Sequence, residues 1–354
     1  MKRALGNEVY SWSAFSEERQ IDFNGHLWVR DGGNILIDPV PMIDSDLDQL
    51  DGLGQVSYIV ITNRDHERQA AFFRARTGAQ VVVHEADAPL LETAADRTLE
   101  DGEEIVPGLR AVHLQHGKSP GEIALYWPQK RLVLAGDLVV GEPLGELSIL
   151  PDPKLENPAA AVLELRKLLA LKFDAMLLGD GHSLLSGARE QLLRCLESRN
   201  DIFINRIHVD EAEWAVHGTC EGCRWESKEI DALIGARRLG YRLLRLPPGQ
   251  APFPYHFHHV TEELFQILEG ECTVITRSGS HPVRAGDFLS FPAGAASAHK
   301  FVNEGSVPCV MLALGNEDAH DVSEYQDTEK IGVKAMPQRR NFLKRDVVDY
   351  WDRE

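Results

Sequence analysis

The sequence predicts an α+β chain of two domains, a layered α/β half over residues 1–200 and an all-β half over residues 201–354. Three observations carry this. The chain has 354 residues, whereas single cores stop growing at roughly 250 to 300. Strand-like and helix-like patterns alternate in the first half, which implies a layered α/β arrangement. After about residue 198 the texture changes to short strands divided by Gly, Pro and polar turns, the punctuation of sandwiches and barrels.

Taken in order, HLWVRDGGNILIDPV reads as two strands joined at Asp31-Gly32-Gly33, a hairpin signal. From Val56 to His84 a buried strand, VSYIVIT, is followed by the polar loop NRDHE, an alanine-rich helical stretch ending at Thr77-Gly78, and the strand QVVVH. RLVLAGD is a strand stopping at an acid, ENPAAAVLELRKLLALKF an amphipathic helix with an early proline, and DAMLLGD another buried strand. A helix from about Gly187 to Ser198 closes this half. Then GYRLLRL, PYHFHH, ELFQILEG, ECTVITRS, HPVRAGD, FLSFPAG, HKFVNEG and PCVMLALG arrive at intervals of roughly 8 to 12 residues. The tail NFLKRDVVDYWDRE, with Tyr350 and Trp351, is expected to pack on the barrel or on a neighbouring subunit.

Hydrophobic residues at 43% and charged residues at 26% fit a folded, soluble chain. Acidic residues outnumber basic ones by 55 to 37, a formal charge of −18, and such a surface repels phosphate backbones and anionic lipid, so neither nucleic acid nor membrane is an expected partner. No apolar run approaches the roughly 18 residues of a spanning helix, and the opening MKRALGNEVYSWSAFSEE does not read as a secretory signal. A cytoplasmic protein is expected. The cysteines number five and are scattered, which argues for reduced thiols. His217, Cys220 and Cys223 form H-x-x-C-x-x-C, readable as an incomplete zinc site or as ordinary free cysteines.

The chemistry concentrates in PYHFHHVTEELFQILEG. His256 and His258 are two apart on a strand, so both imidazoles leave one face. Glu263 opens the next strand, and a short antiparallel connection would return its carboxylate to that face. His299 arrives from a distant strand in GDFLSFPAGAASAHKFVN. Imidazoles with one carboxylate suit Fe, Mn, Ni, Zn or Cu. His259 is expected to point outward, and His281 and His320 to lie on the surface.

These residues resemble the cupin superfamily. Its first motif, H-x-H, four residues, Glu, six residues and Gly, is matched from His256 to Gly270; its second is matched by Gly286, Pro292, Gly294, His299 and Asn303, with four residues rather than the common two between Gly294 and His299. The resemblance implies a double-stranded β-helix (jelly-roll) barrel holding one divalent metal ion on His256, His258, Glu263 and His299. It also implies a homodimer through edge strands.

The run VIT-NRDH resembles the metallo-β-lactamase fold, whose first motif is a strand ending in Thr followed by H-x-H-x-D-H. The resemblance covers about residues 15 to 190 and implies an αββα layered domain whose metal motif is incomplete. Only Asp65 and His66 survive there. Lys118 in HGKSPGE takes the place of the third histidine, Asp137 in LAGD matches the bridging aspartate, and in LLGDGHS Asp180 stands where histidine belongs, with His182 two residues on. Two readings stay open: a single metal site from Asp65, His66, Asp137 and His182, or a Lys118 ammonium paired with Asp65 or Asp137 in the space of an ion. Asp38 in LIDP is expected to be structural, and His84, His113 and His116 to be core or surface residues, His116 being readable also as a displaced ligand.

Three functions compete. The barrel is a small-molecule metalloenzyme of oxygenase, isomerase or lyase type with Glu263 in acid-base work, fused to a non-hydrolytic layered domain. Alternatively it is a binding or sensing module for a small molecule. Last, the layered half is a mono-metal hydrolase of thioesters or lactones.

Overall fold

The computed structural model describes residues 1–218, 220–316, 318–335, 340–346, 348 and 351. The chain divides into two compact units, Met1–Ile204 and Asn205–Glu354.

In the first unit successive residues of one strand enter different cores, because side chains alternate across a pleated sheet. Ile35, Ile37, Val60 and Val82 point between two sheets, while Leu36, Ile59, Ile61, Val81 and Val83 point the other way onto helices. Strands buried on both faces read as continuous apolar runs, which is why VSYIVIT and QVVVH carry no polar alternation. The first sheet runs Lys2–Leu5, Val9–Ser16, Ile21–Trp28, Asn34–Ile37, Val56–Ile61, Gln80–His84 and Arg97–Leu99 in that spatial order. It is antiparallel up to Asn34–Ile37 and parallel beyond it. The second sheet runs Ala175–Leu178, Leu132–Ala135, Ile123–Trp127, Leu109–His113 and Glu104–Val106. Helices Asp44–Gly52 and Ala70–Thr77 supply Leu50, Ala70 and Phe73 to the outer core of the first sheet. Helices Pro158–Glu164, Arg166–Leu169 and Ala188–Glu197 cover the second. This is the expected αββα layering.

One expected helix is two. The run from Pro158 is capped by Asn157, whose side chain accepts from the Ala160 N–H, and it stops at Glu164. The buried Arg166 turns its guanidinium back onto the carbonyl of Leu163 at 3.1 Å, and the Leu168 N–H then reaches only to Leu165. A side chain that takes a ladder acceptor breaks the helix there.

The second unit is a sandwich of two sheets. One orders Ala215–His217, Trp225–Glu229, Leu239–Leu246, Cys309–Asn316, Glu263–Glu269 and Phe288–Phe291; the other orders Gly279–Arg284, Glu271–Thr276, His299–Val302, His256–His258, Val322–Tyr325, Lys330–Val333 and Arg340–Leu343. Leu244, Leu246, Phe265, Ile267, Phe291 and Met311 from the first meet Cys272, Val274, Val283 and Phe301 from the second. All eight expected strands are present, and five more appear among the described residues. Those five are short and none is continuously buried, so they lack the apolar alternation that announces a strand. In the tail, Trp351 is exposed and Tyr350 lies outside the described residues.

The expectation of reduced thiols is corrected at one place: Cys220 and Cys223 form a disulfide, with Cα atoms 5.4 Å apart. A tight turn with two residues, Glu221 and Gly222, between the cysteines brings the two Cα atoms within bridging reach. Both thiols are thereby unavailable to zinc, and His217 instead bonds Ser227 Oγ at 2.8 Å and stacks on Trp225. Cys195, Cys272 and Cys309 are free and buried. No helix among the described residues is long and apolar enough to cross a membrane.

Candidate functional site

In the barrel, His256 and His299 face each other as a pair across antiparallel strands, with ring centroids 4.9 Å apart. His258 lies two residues along the same strand. Glu263 does not return as a hairpin neighbour, which corrects the sequence expectation. Its strand pairs with Cys309–Asn316 and Phe288–Phe291 in the opposite sheet, so the carboxylate meets the imidazoles from across the sandwich. The residues between His258 and Glu263 carry the chain from one sheet to the other. There Asp321 Oδ1 accepts the N–H groups of Val260 and Thr261 at 3.0 and 3.2 Å.

Each histidine has its Nδ1 engaged by an oxygen that can accept. His256 reaches the Pro254 carbonyl at 3.0 Å, His299 the Ser297 carbonyl at 3.1 Å, and His258 the Asp321 carboxylate at 2.5 Å. A carbonyl or carboxylate oxygen only accepts, so Nδ1 carries the hydrogen and Nε2 presents a lone pair. His258 Nε2 and His299 Nε2 lie 3.5 and 3.6 Å from Glu263 Oε2. One ligand atom each from His256, His258 and Glu263 falls within 4.8 Å of the others. His299 is outside that mutual set and reaches the cluster through Glu263. Its Nε2 is buried with no hydrogen-bond partner among the described residues. The ring stacks on Phe291 at 3.6 Å, and burial pushes its pKa down to about 4, which keeps it neutral. Donors sharing one ion at about 2.1 Å stand roughly 3 to 3.5 Å apart, a spacing that the two Glu263 distances approach, so the donor set suits a metal. Burial works against the Asp321 carboxylate, yet the hydrogen bonds it accepts from His258 and from the Thr261 and Val260 N–H groups outweigh it and hold its pKa far below the usual range. His259 is exposed and bonds Glu324; His281 and His320 are exposed.

The layered unit gathers a different set. His66, Asp137 and Asp180 offer atoms within 4.8 Å of one another, and not the four residues Asp65, His66, Asp137 and His182. The His182 side chain is exposed. Asp65 is tied to Lys118, whose ammonium lies 2.5 Å from Asp65 Oδ2 and 3.2 Å from Asp137 Oδ2. Burial opposes that charge, but Asp137 and Asp65 outweigh it and hold the Lys118 pKa above the ordinary lysine value. Asn63 Nδ2 donates to the other oxygen of Asp137 at 3.1 Å. Buried Asp38, at the end of its strand, accepts from the Thr62 N–H and hydroxyl and from His66 Nδ1 at 2.8, 2.6 and 2.9 Å. Arg68 fills the far side: its Nη2 is 2.9 Å from His66 Nε2 and 2.5 Å from Asp180 Oδ1. Two glycines permit this density. A Cβ on Gly179 would stand 2.4 Å from His66 Cε1, and one on Gly136 would stand 2.6 Å from Glu122 Oε1. Glu122 is buried beside Asp137; burial first and that neighbouring charge second raise its pKa well above the carboxylate range. His116 is half-buried and bonds Glu156, while His84 and His113 stack at 3.9 Å. Asp321, Arg68 and Glu122 carry no motif, and the sequence offers no spacing that would have found them.

Residues 1–198 match the family model for the metallo-beta-lactamase superfamily, and residues 242–315 match that for the cupin domain. No curated protein matches the chain. Among solved structures, a metallo-beta-lactamase from Pontibacter korlensis is 16% identical, covering 55% of this chain and 98% of its own, with a TM-score of 0.46. The metallo-beta-lactamase FIM-1 from Pseudomonas aeruginosa, in its mono-zinc form, is 16% identical over 56% of this chain and 95% of its own, TM-score 0.45. A sugar phosphate isomerase of the cupin superfamily from Silicibacter pomeroyi is 24% identical over 40% of this chain and 94% of its own, TM-score 0.38. With the family model spanning more than half of its length, the chain belongs to the metallo-beta-lactamase superfamily, and it carries a cupin domain behind that one.

Proposed function

We propose that the barrel holds one divalent ion, Fe, Mn, Ni or Zn, on His256, His258, Glu263 and His299 and acts as a small-molecule metalloenzyme of oxygenase, isomerase or lyase type. The observation that supports it is the shared tautomer: all three imidazoles have Nδ1 engaged, and His258 and His299 turn Nε2 toward the same carboxylate. A bound ion would supply Lewis acidity at a coordination position left open to substrate.

The chain's own groups supply the rest. Phe253, Phe265 and Phe291 ring the histidines, and an apolar wall excludes water and strengthens every charge inside it. Asp321 fixes the ring of His258 and, through Val260 and Thr261, the strand entry that aims Glu263. Glu263, the one carboxylate of the cluster, is placed to hold or move a proton at its Oε2. The layered unit takes no hydrolytic part in this reading.

Metal content of the purified chain, followed by oxygen-uptake and isomerisation assays with each metal, tests the proposal. Turnover abolished by His256→Ala and Glu263→Gln supports it. A protein that neither carries nor gains a metal overturns it, and tight small-molecule retention without turnover would make the barrel a sensing module instead. The proposal extends to a cytoplasmic homodimer. The edge strand Phe288–Phe291 presents Phe288 at 67% exposure, an apolar edge that a second copy would cover. Light scattering that finds a monomer would remove that part.

A further inference from the structure

The superfamily implies metal in the layered unit, and the residues present do not fit one. The geometry points to a centre that excludes divalent ions because two side-chain cations, Arg68 and Lys118, already hold the lone pairs and carboxylates an ion would need. This is independent of the barrel.

An ion among His66, Asp137 and Asp180 needs the His66 Nε2 lone pair and oxygens of both carboxylates. Asp38 accepts at His66 Nδ1, which makes Nε2 the acceptor on that ring, and Arg68 Nη2 sits on it at 2.9 Å. The same nitrogen is 2.5 Å from Asp180 Oδ1. The other guanidinium nitrogen donates to the carbonyls of Asn24 and Gly179 at 3.0 and 3.3 Å, and the group lies over the Phe23 ring at 4.9 Å. Asp137 is shared between Asn63 and Lys118, and Lys118 also holds Asp65.

A guanidinium does not lose its proton in a protein. An arriving dication therefore cannot displace a proton and take its place; it must dislodge a fixed positive charge. That charge is fixed by more than its ion pair. Arg68 has φ of +41°, a left-handed backbone that a branched-chain-free but bulky residue rarely adopts, and strain of this kind persists where the surroundings over-determine it. Its side chain is 10% exposed, and those of His66 and Asp180 are 2% and 14% exposed. The centre keeps the carboxylates of a metal site and satisfies them internally. Without an ion there is no bound water of lowered pKa, so the unit serves as a rigid scaffold and not as a hydrolase.

The test is anomalous scattering at the zinc edge on crystals of the full chain soaked in zinc. The expected result is no peak within bonding distance of His66, Asp137 or Asp180, whatever the barrel shows. A zinc peak there, with Arg68 or Lys118 swung away, would overturn the inference. The second arm is the double variant Arg68→Ala, Lys118→Met, which should gain one zinc bound at that triad; a folded double variant that gains none shows that the cations are not the cause and also overturns it. Should that variant not fold, the wild-type crystal still decides, and a barrel peak present or absent reports separately on the proposed function.

Discussion

Both units place a histidine with Nδ1 against a buried aspartate, Asp38 behind His66 and Asp321 behind His258. What lies in front of the rings differs. His66 Nε2 meets the Arg68 guanidinium, whereas His258 Nε2 faces Glu263, a carboxylate shared at similar distance with His299. The pair teaches that a count of histidines and acids does not define a metal site. What sets the two centres apart is whether a protein cation already sits on the ring nitrogen, and outer partners alone, present in both units, do not distinguish them.

The comparison breaks most readily at Arg68. Removing one partner of a buried pair strands the other charge, so Arg68→Ala should lower the stability of the first unit by about 3 to 5 kcal/mol, read as an earlier urea transition. A loss under about 1 kcal/mol would mean that Asp180 finds water or a metal in its place. A second contrast is acid sensitivity. Burial pushes His26 in the layered unit down to about 4, against an unfolded value near 6.5. A depressed folded pKa gives stability that is complete above about pH 6.5 and lost as pH falls toward 4, by about 3 kcal/mol. Denaturant titrations of wild type and His26→Asn across that window should diverge, and parallel curves would refute the assignment.

The barrel side is sharpened at Asp321. Asp321→Asn should weaken metal binding by roughly 10- to 100-fold, as loss of an orienting partner does, while the far-ultraviolet spectrum stays that of wild type; unchanged affinity would show that His258 needs no orientation. The smallest effect is expected at the exposed pair Arg76–Asp51, 34% and 57% exposed. Arg76→Ala should change stability by less than about 1 kcal/mol, a baseline against which the Arg68 effect is judged.

Much of this was legible beforehand. The apolar runs VSYIVIT and QVVVH, the Thr77-Gly78 stop and the eight barrel strands announce themselves by period and punctuation, and the spacing from His256 to Gly270 names its relatives. A lysine standing where a ligand belongs points to a pairing of Lys118 with Asp65 or Asp137, and the structure has it with both. Arg68 was not legible, since a loop arginine two residues past His66 looks like any solvated charge until its backbone conformation is known. Nor was Asp321, because it lies 63 residues from His258 and the strand that follows it, Val322–Tyr325, is short and mixed in polarity. Glu263 was found for its chemistry and misplaced in topology, since a four-residue gap serves a hairpin and a sheet crossover equally well.

The sequence by itself determined the division into two units, the layered and barrel architectures and the residue types at both centres, because these depend on local periodicity and on motifs read along the chain. Only the tertiary structure decided which lone pairs stay unspent, which carboxylate meets which cation, and that Glu263 arrives from the opposite sheet. Those outcomes depend on distances between residues remote in sequence, and such distances are set by how the sheets stack and not by any local preference of the chain.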